Sequence, residues 1–171
     1  LNHAGRAHSA RLAAGDIQPL KKDHLNAERN KGMPGISANG TLIEYEAFGD
    51  PAAPPILLIM GLGAQMINWD AEFCRQLADR GLYVVRFDNR DVGMSQKFEE
   101  GGTPAVNQIM AAALRGEPFE TPYTLDDMAA DAVGLMDALG MDKAIICGAS
   151  MGGMIAQVVA LNYPERVLAL V

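Results

Sequence analysis

Ala144-Ile-Ile-Cys-Gly-Ala-Ser-Met-Gly-Gly-Met-Ile-Ala-Gln-Val-Val-Ala160 decides how this chain folds. Ala144–Cys147 is short, apolar and bounded by glycine, which predicts a buried strand. Met154 to about Tyr163 is apolar nearly all round, which predicts a buried helix, and Pro164 lies just past its end. Between them, Gly148–Gly153 can only be a tight turn. A strand feeding a helix through so short a connection is the unit of an α/β sheet.

The same rhythm extends outward in both directions. Val167–Val171 opens a further strand. Upstream, Leu125, Met128, Ala132, Leu135, Met136 and Leu139 form one apolar stripe of a helix that ends at Gly140. Thr124 and Asp127 have the spacing of a capping box at its start. Leu82–Phe87 and Ile56–Met60 are continuous apolar runs, as expected of strands covered on both faces. Between those two runs, Asn68 is placed to cap a helix from Trp69 to about Arg80, with Trp69, Phe73 and Leu77 on one face and Gly81 closing it. Residues 104–115 read as a short helix. Asn39-Gly40 is a hairpin turn, with a strand before it from Ile36 and one after it from Thr41 to Phe48. The predicted fold is α/β: a mostly parallel sheet with helices on both faces, six strands in all.

Gly148-Ala-Ser-Met-Gly152 within that turn is G-x-S-x-G. A chain of this composition produces the motif by chance about one time in twenty, so its context decides. A serine on a strand-to-helix turn is held in a strained conformation with its hydroxyl above the sheet. Gly148 and Gly152 are the elbow glycines, where a side chain would strike neighbouring backbone. Ser150 is therefore the candidate nucleophile. The N–H of Met151, at a helix N-terminus, is a candidate oxyanion donor. Gly61-Leu-Gly63, after the strand that precedes the first long helix, nominates the N–H of Leu62 as the second donor.

Asp88-Asn-Arg-Asp-Val-Gly-Met-Ser95 fails as a calcium loop, because Arg90 and Val92 stand where ligands belong. It reads as a structural loop with Arg90 and the acids paired locally. Trp69 reads as the anchor of its helix.

Composition removes several function classes. The 171 residues carry a net charge of −7, with no basic run longer than Lys21-Lys22, which argues against nucleic acid as a partner. No apolar run has the length of a membrane span. Cys74 and Cys147 lack a metal-ligand spacing and read as free thiols in apolar surroundings, consistent with a reducing, cytoplasmic compartment. Residues 1–32 have no apolar central region of the signal-peptide kind and read as an upstream segment, with the patterned domain over 33–171.

Three stretches together carry a resemblance: Gly148-Ala-Ser-Met-Gly-Gly153, Met60-Gly-Leu-Gly-Ala-Gln65 and Phe87-Asp-Asn-Arg-Asp-Val-Gly-Met-Ser95. They resemble bacterial α/β-hydrolases of the esterase and lipase kind, notably mycobacterial lipase/esterase-like proteins and the aclacinomycin methylesterase type. The resemblance covers Met33 to Val171. It implies the α/β-hydrolase fold, an eight-stranded sheet, a Ser-His-Asp triad, no cofactor and no metal, and a small-molecule ester as substrate. Position by position, it gives Ser150 the nucleophile role and Leu62 and Met151 the oxyanion roles. Two positions depart from the wider fold: Met60-Gly61 stands for His-Gly, and Asp88-Asn-Arg-Asp91 for Asp-x-Arg-Gly. Both resemble this subgroup and weaken transfer from more distant lipases.

Triad order in this fold is serine, acid, histidine. Only 21 residues follow Ser150; none is histidine, and the one acid among them is Glu165. His3, His8 and His24 all lie upstream. The expectation is a portion of the fold that stops after about the sixth strand, is nearly inactive alone, and exposes an aggregation-prone apolar edge at Val167–Val171. Two other readings remain: a non-catalytic binding protein on the same fold, and a dinucleotide module built on Gly61-Leu-Gly63 with Asp88 as the ribose acid.

Overall fold

The computed structural model describes residues 35–98, 106–118 and 120–171; the expectations for residues 1–32 lie outside them. The described chain forms β1 (Ile36–Ala38), β2 (Thr41–Ile43), β3 (Tyr45–Phe48), β4 (Pro55–Ile59), α1 (Ala71–Ala78), β5 (Tyr83–Phe87), α2 (Val106–Arg115), α3 (Leu125–Ala138), β6 (Ala144–Gly148), α4 (Met151–Asn162) and β7 (Val167–Leu170). β1 and β2 are a separate antiparallel hairpin. The main sheet has the order β3-β5-β4-β6-β7, with β3 antiparallel to β5 and every other neighbour parallel.

That order positions the site. The chain steps from β4 to β5 on one side and then returns to β6 on the other. β4 and β6 are adjacent, yet their following connections leave in opposite directions. Their carboxyl ends form a topological switch point, where a crevice opens in sheets of this kind.

β4 alternates between two cores. Leu57 and Ile59 face α3, α4 and the hairpin, while Ile56 and Leu58 face α1. Helices therefore cover both faces. Among the described residues, nineteen buried side chains make the α3/α4 core and only four make the α1 core (Ile56, Leu58, Cys74 and Val84). At about 2 kcal/mol per buried large apolar side chain, the α3/α4 face supplies most of the hydrophobic stabilisation.

Four expectations need correction. The strand foreseen over Thr41–Phe48 is two strands, so there are seven in all. It breaks at Glu44, whose N–H donates to Ser95 Oγ (2.9 Å) and whose carbonyl accepts from the Asp88 N–H (3.0 Å). The first long helix is capped by Asp70, not Asn68. Asp70 Oδ1 accepts from the N–H of Glu72 (2.7 Å) and Phe73 (3.3 Å), while Met66–Asn68 form a 3₁₀ turn closed by the Trp69 N–H on the Met66 carbonyl. Trp69 thus precedes α1, its ring stacked on Phe73; the side chain that α1 buries completely is Cys74. α4 starts at Met151, three residues earlier than expected, and is not buried all round: Ile155, Ala156 and Val159 face the core, but Met154 and Leu161 are exposed.

Other expectations hold. Asn39 and Gly40 both take positive φ, as a primed hairpin turn requires. The capping box at Thr124 and Asp127 is formed in both directions. Cys74 and Cys147 are free thiols, the first buried and the second half-buried. β7 is an edge strand with Leu168 and Leu170 exposed, followed by an exposed Val171. No helix among the described residues is long and apolar enough to cross a membrane.

Candidate active site at the switch point

β6 ends and α4 begins within three residues, and the backbone can do this only by an unusual step. Ser150 sits at φ 56°, ψ −122°, one of three non-glycine residues among those described with positive φ. Such a conformation costs on the order of 1–3 kcal/mol and persists only when its surroundings hold it. They do so here from both sides: the Ala149 N–H donates to the Ile59 carbonyl of β4 (3.0 Å), and the Gly148 N–H donates to the Val171 carbonyl (3.0 Å). The Gly153 N–H closes the turn on the Ser150 carbonyl (2.8 Å). The chain folds back so tightly that a Cβ on Gly148 would lie 2.2 Å from the Gly152 carbonyl oxygen, and one on Gly152 2.2 Å from the Ile59 carbonyl oxygen. Neither clash is with a side chain that could move aside.

The loop after β4 meets this turn. A Cβ placed on the buried Gly61 would lie 3.1 Å from Ser150 Cβ and 3.5 Å from its Oγ, so the two segments are in contact. Leu62, next along, is 79% exposed, and Ser150 is exposed as well. Among the described residues, neither the Leu62 N–H nor the Met151 N–H has a hydrogen-bond acceptor. An exposed hydroxyl with open N–H groups on the adjoining loop and on the helix start is an arrangement that can receive negative charge.

Ser150, Gly61-Leu-Gly63, Met151, Gly148 and Gly152 are thus brought to one place. An acid–base partner is not: the described residues contain no histidine, and Glu165 is exposed in the 3₁₀ turn after α4. They contain no cluster of His, Cys, Asp or Glu able to hold a metal ion. The nearby Cys147 thiol is held neutral, its pKa pushed up by burial. Gly61-Leu-Gly63 does not lead into a helix, since α1 begins only at Ala71, so the glycines have no helix N-terminus of the kind a dinucleotide pyrophosphate uses.

The loop Asp88–Ser95 corrects a further expectation. Arg90 does not pair locally. Its guanidinium donates to Asp131 on α3 through Nε (2.6 Å) and Nη2 (2.7 Å), with both side chains buried and the Phe98 and Tyr123 rings each 5.0 Å away. Burial works against the charge, but the hydrogen bonds and charge of Asp131 outweigh it and raise the Arg90 pKa. Asp131 also accepts from Asn39 in the hairpin turn (3.1 Å). The two acids of the loop accept from backbone N–H groups instead, Asp88 from Met66 and Met94, and Asp91 from Phe98. Beyond the presence of the two charges, nothing in the sequence pattern signals the Arg90–Asp131 pair.

A family model for the alpha/beta hydrolase fold matches residues 54–171. The chain belongs to this family. Among curated α/β-hydrolases it is similar to rhodomycin D methylesterase of Streptomyces sp. strain C5, with 37% identity over 135 residues, 79% of this chain and 39% of that protein. It is also similar to 3-oxoadipate enol-lactonase 2 of Acinetobacter baylyi, with 27% identity over 131 residues, 77% of this chain and 40% of that protein. Among solved α/β-hydrolases, the crystal structure of the enol-lactonase from Burkholderia xenovorans LB400 superposes with a TM-score of 0.62 at 29% identity, covering 80% of this chain and 45% of that one. The chain spans about two fifths of the length of the curated relatives it matches.

Proposed function

We propose that this site cleaves carboxylic esters through an acyl-enzyme on Ser150. The hydroxyl attacks the ester carbonyl, and the N–H groups of Leu62 and Met151 receive the oxyanion of the tetrahedral intermediate. The alcohol then leaves, with a proton, and water later releases the acid. The observation that carries this reading is the exposed, positive-φ serine between β6 and α4, pressed against the Gly61 loop. A serine with only a structural role has no need of a strained backbone. The names of the similar proteins, a methylesterase and a lactonase, fit an ester or lactone carbonyl as the reacting group.

The 171 residues supply the nucleophile and both donors, while the described ones contain no histidine to take the serine proton. Turnover by this chain alone is therefore expected to be very slow. Oxyanion donors and binding without a complete triad still leave about 10³–10⁴-fold acceleration over water, enough for a slow covalent label to collect at the right residue. Prolonged incubation with a fluorophosphonate, followed by peptide mapping, should give an adduct on Ser150 that Ser150→Ala abolishes. An adduct spread over other hydroxyls, or unchanged in Ser150→Ala, overturns the reading and favours a protein that binds without catalysis.

A further inference from the structure

Asp88 and Asn89 lie side by side at the carboxyl end of β5, 3% and 2% exposed, and among the described residues neither hydrogen-bonds to Ser150. Both side chains reach the loop that meets the serine turn. Asn89 Nδ2 donates to the Met60 carbonyl (2.9 Å), at the residue just before Gly61. Asp88 Oδ1 accepts from the Met66 N–H (2.7 Å), where the loop ends in its 3₁₀ turn. Between these two points, the hydrogen bond that braces the loop internally is the Ala64 N–H on the Gly61 carbonyl (3.2 Å).

The pair is itself firmly held. Asp88 Oδ2 accepts from the Met94 N–H (3.0 Å), and its backbone is tied by its own N–H to the Glu44 carbonyl and by its carbonyl to Ser95 Oγ (2.6 Å). Gly93 leaves room for the carboxylate: a Cβ there would lie 1.9 Å from Asp88 Oδ2. One residue on, Arg90 fastens the same segment to α3 through Asp131.

The geometry points to Asp88 and Asn89 as positioning residues that clamp both ends of the Met60–Met66 loop and so set the Leu62 N–H against the serine turn. This rests on the reading of Ser150 as nucleophile and Leu62 as oxyanion donor, and it assigns a role to a motif that the reaction itself does not use. An amide and a carboxylate are the right pair for the two ends. Met60 offers an acceptor and needs a donor, while Met66 offers a donor and needs an acceptor. With both ends fixed by charged or amide groups in a buried setting, the short span between them has little freedom left.

The test has two arms. In the wild-type chain, residue-resolved amide exchange should show the Met66 N–H protected and the Leu62 N–H open. Equal, fast exchange at both overturns the clamp whatever the serine does. In Asn89→Asp, a near-isosteric change, the carboxylate cannot donate and repels the Met60 carbonyl. The limiting rate of phosphonylation at Ser150 should fall about tenfold with the half-saturating probe concentration unchanged, because misplacing a donor affects the transition state and not the encounter. A folded Asn89→Asp chain with an unchanged limiting rate contradicts the inference. If that variant does not fold, the wild-type exchange pattern decides. If wild type gives no adduct on Ser150, the nucleophile reading fails by itself and the clamp is judged on exchange alone.

Discussion

Two connections leave the carboxyl ends of β5 and β6, the parallel strands on either side of β4, and treat their polar groups in opposite ways. After β5, the segment Asp88–Ser95 buries Asp88, Asn89, Arg90 and Ser95 and gives each a hydrogen-bond partner. After β6, the turn at Ser150 leaves its hydroxyl exposed and, among the described residues, without a partner. Each contains a non-glycine residue at positive φ, Asp91 (66°) and Ser150 (56°). Asp91 receives something for its conformation, since its Oδ1 accepts from the Phe98 N–H at 2.7 Å. Ser150 has no such compensation. Buried polar groups that are satisfied hold a structure in one arrangement; a strained, unsatisfied one at a crevice is available for chemistry.

Breaking the holding segment should have the largest effect. Asp131→Ala leaves the Arg90 guanidinium buried and unpaired, and should cost about 3–5 kcal/mol of unfolding free energy in urea titrations. A loss below 1 kcal/mol would mean that water reaches Arg90 and that the pair is not a tie. Gly93→Ala puts a methyl group where Asp88 Oδ2 lies and must be smaller in effect, about 1–3 kcal/mol, because the carboxylate can shift at the expense of its bonds to Met94 and Met66.

The two positive-φ residues give the sharpest contrast. Ser150→Gly releases strain with no bond lost, and should stabilise the chain by about 1 kcal/mol while removing the nucleophile. Asp91→Gly releases similar strain but forfeits the Phe98 bond, so its melting temperature should stay level or fall. Equal gains in both would remove the distinction between the two turns.

The smallest effect is expected away from both. Thr124→Ala opens the capping box of α3 and should cost about 1 kcal/mol at neutral pH. The hydrogen bonds from the Thr124 backbone and hydroxyl lower the Asp127 pKa below its ordinary 3.8. A depressed carboxylate pKa adds stability above the unfolded value and loses it as pH falls through the folded one. The gap between variant and wild type should therefore narrow below about pH 4. A gap that stays constant down to pH 2 would show that Asp127 takes no part in the box.

What could be read in advance follows the range of the forces involved. The Ser150 turn is decided by residues within a few positions of one another, so glycine spacing and flanking apolar runs were enough to find it. The capping box at Thr124 is equally local. The clamp by Asn89 and the Arg90–Asp131 pair join residues 29 and 41 positions apart, and nothing in the spacing of those charges names the partner. Asn68 and Asp70 are both good caps by type. The choice fell to Asp70 because residues 66–68 had already turned in a 3₁₀ helix, which sequence pattern does not report. The exposure of Met154 and Leu161 on α4 is not legible in the sequence, because an apolar residue carries no mark of which face it occupies. The division of Thr41–Phe48 into two strands depends on Ser95, far along the chain, reaching Glu44.

The most direct measurement uses the reaction itself. The chain is incubated with an activated acetate ester, such as p-nitrophenyl acetate, then digested and mapped for acetyl groups. If Ser150 is the nucleophile, the acetyl group should accumulate on Ser150 ahead of Ser37 and Ser95 and vanish in Ser150→Ala. Acetylation confined to lysines and the amino terminus, with Ser150 untouched, would contradict the account.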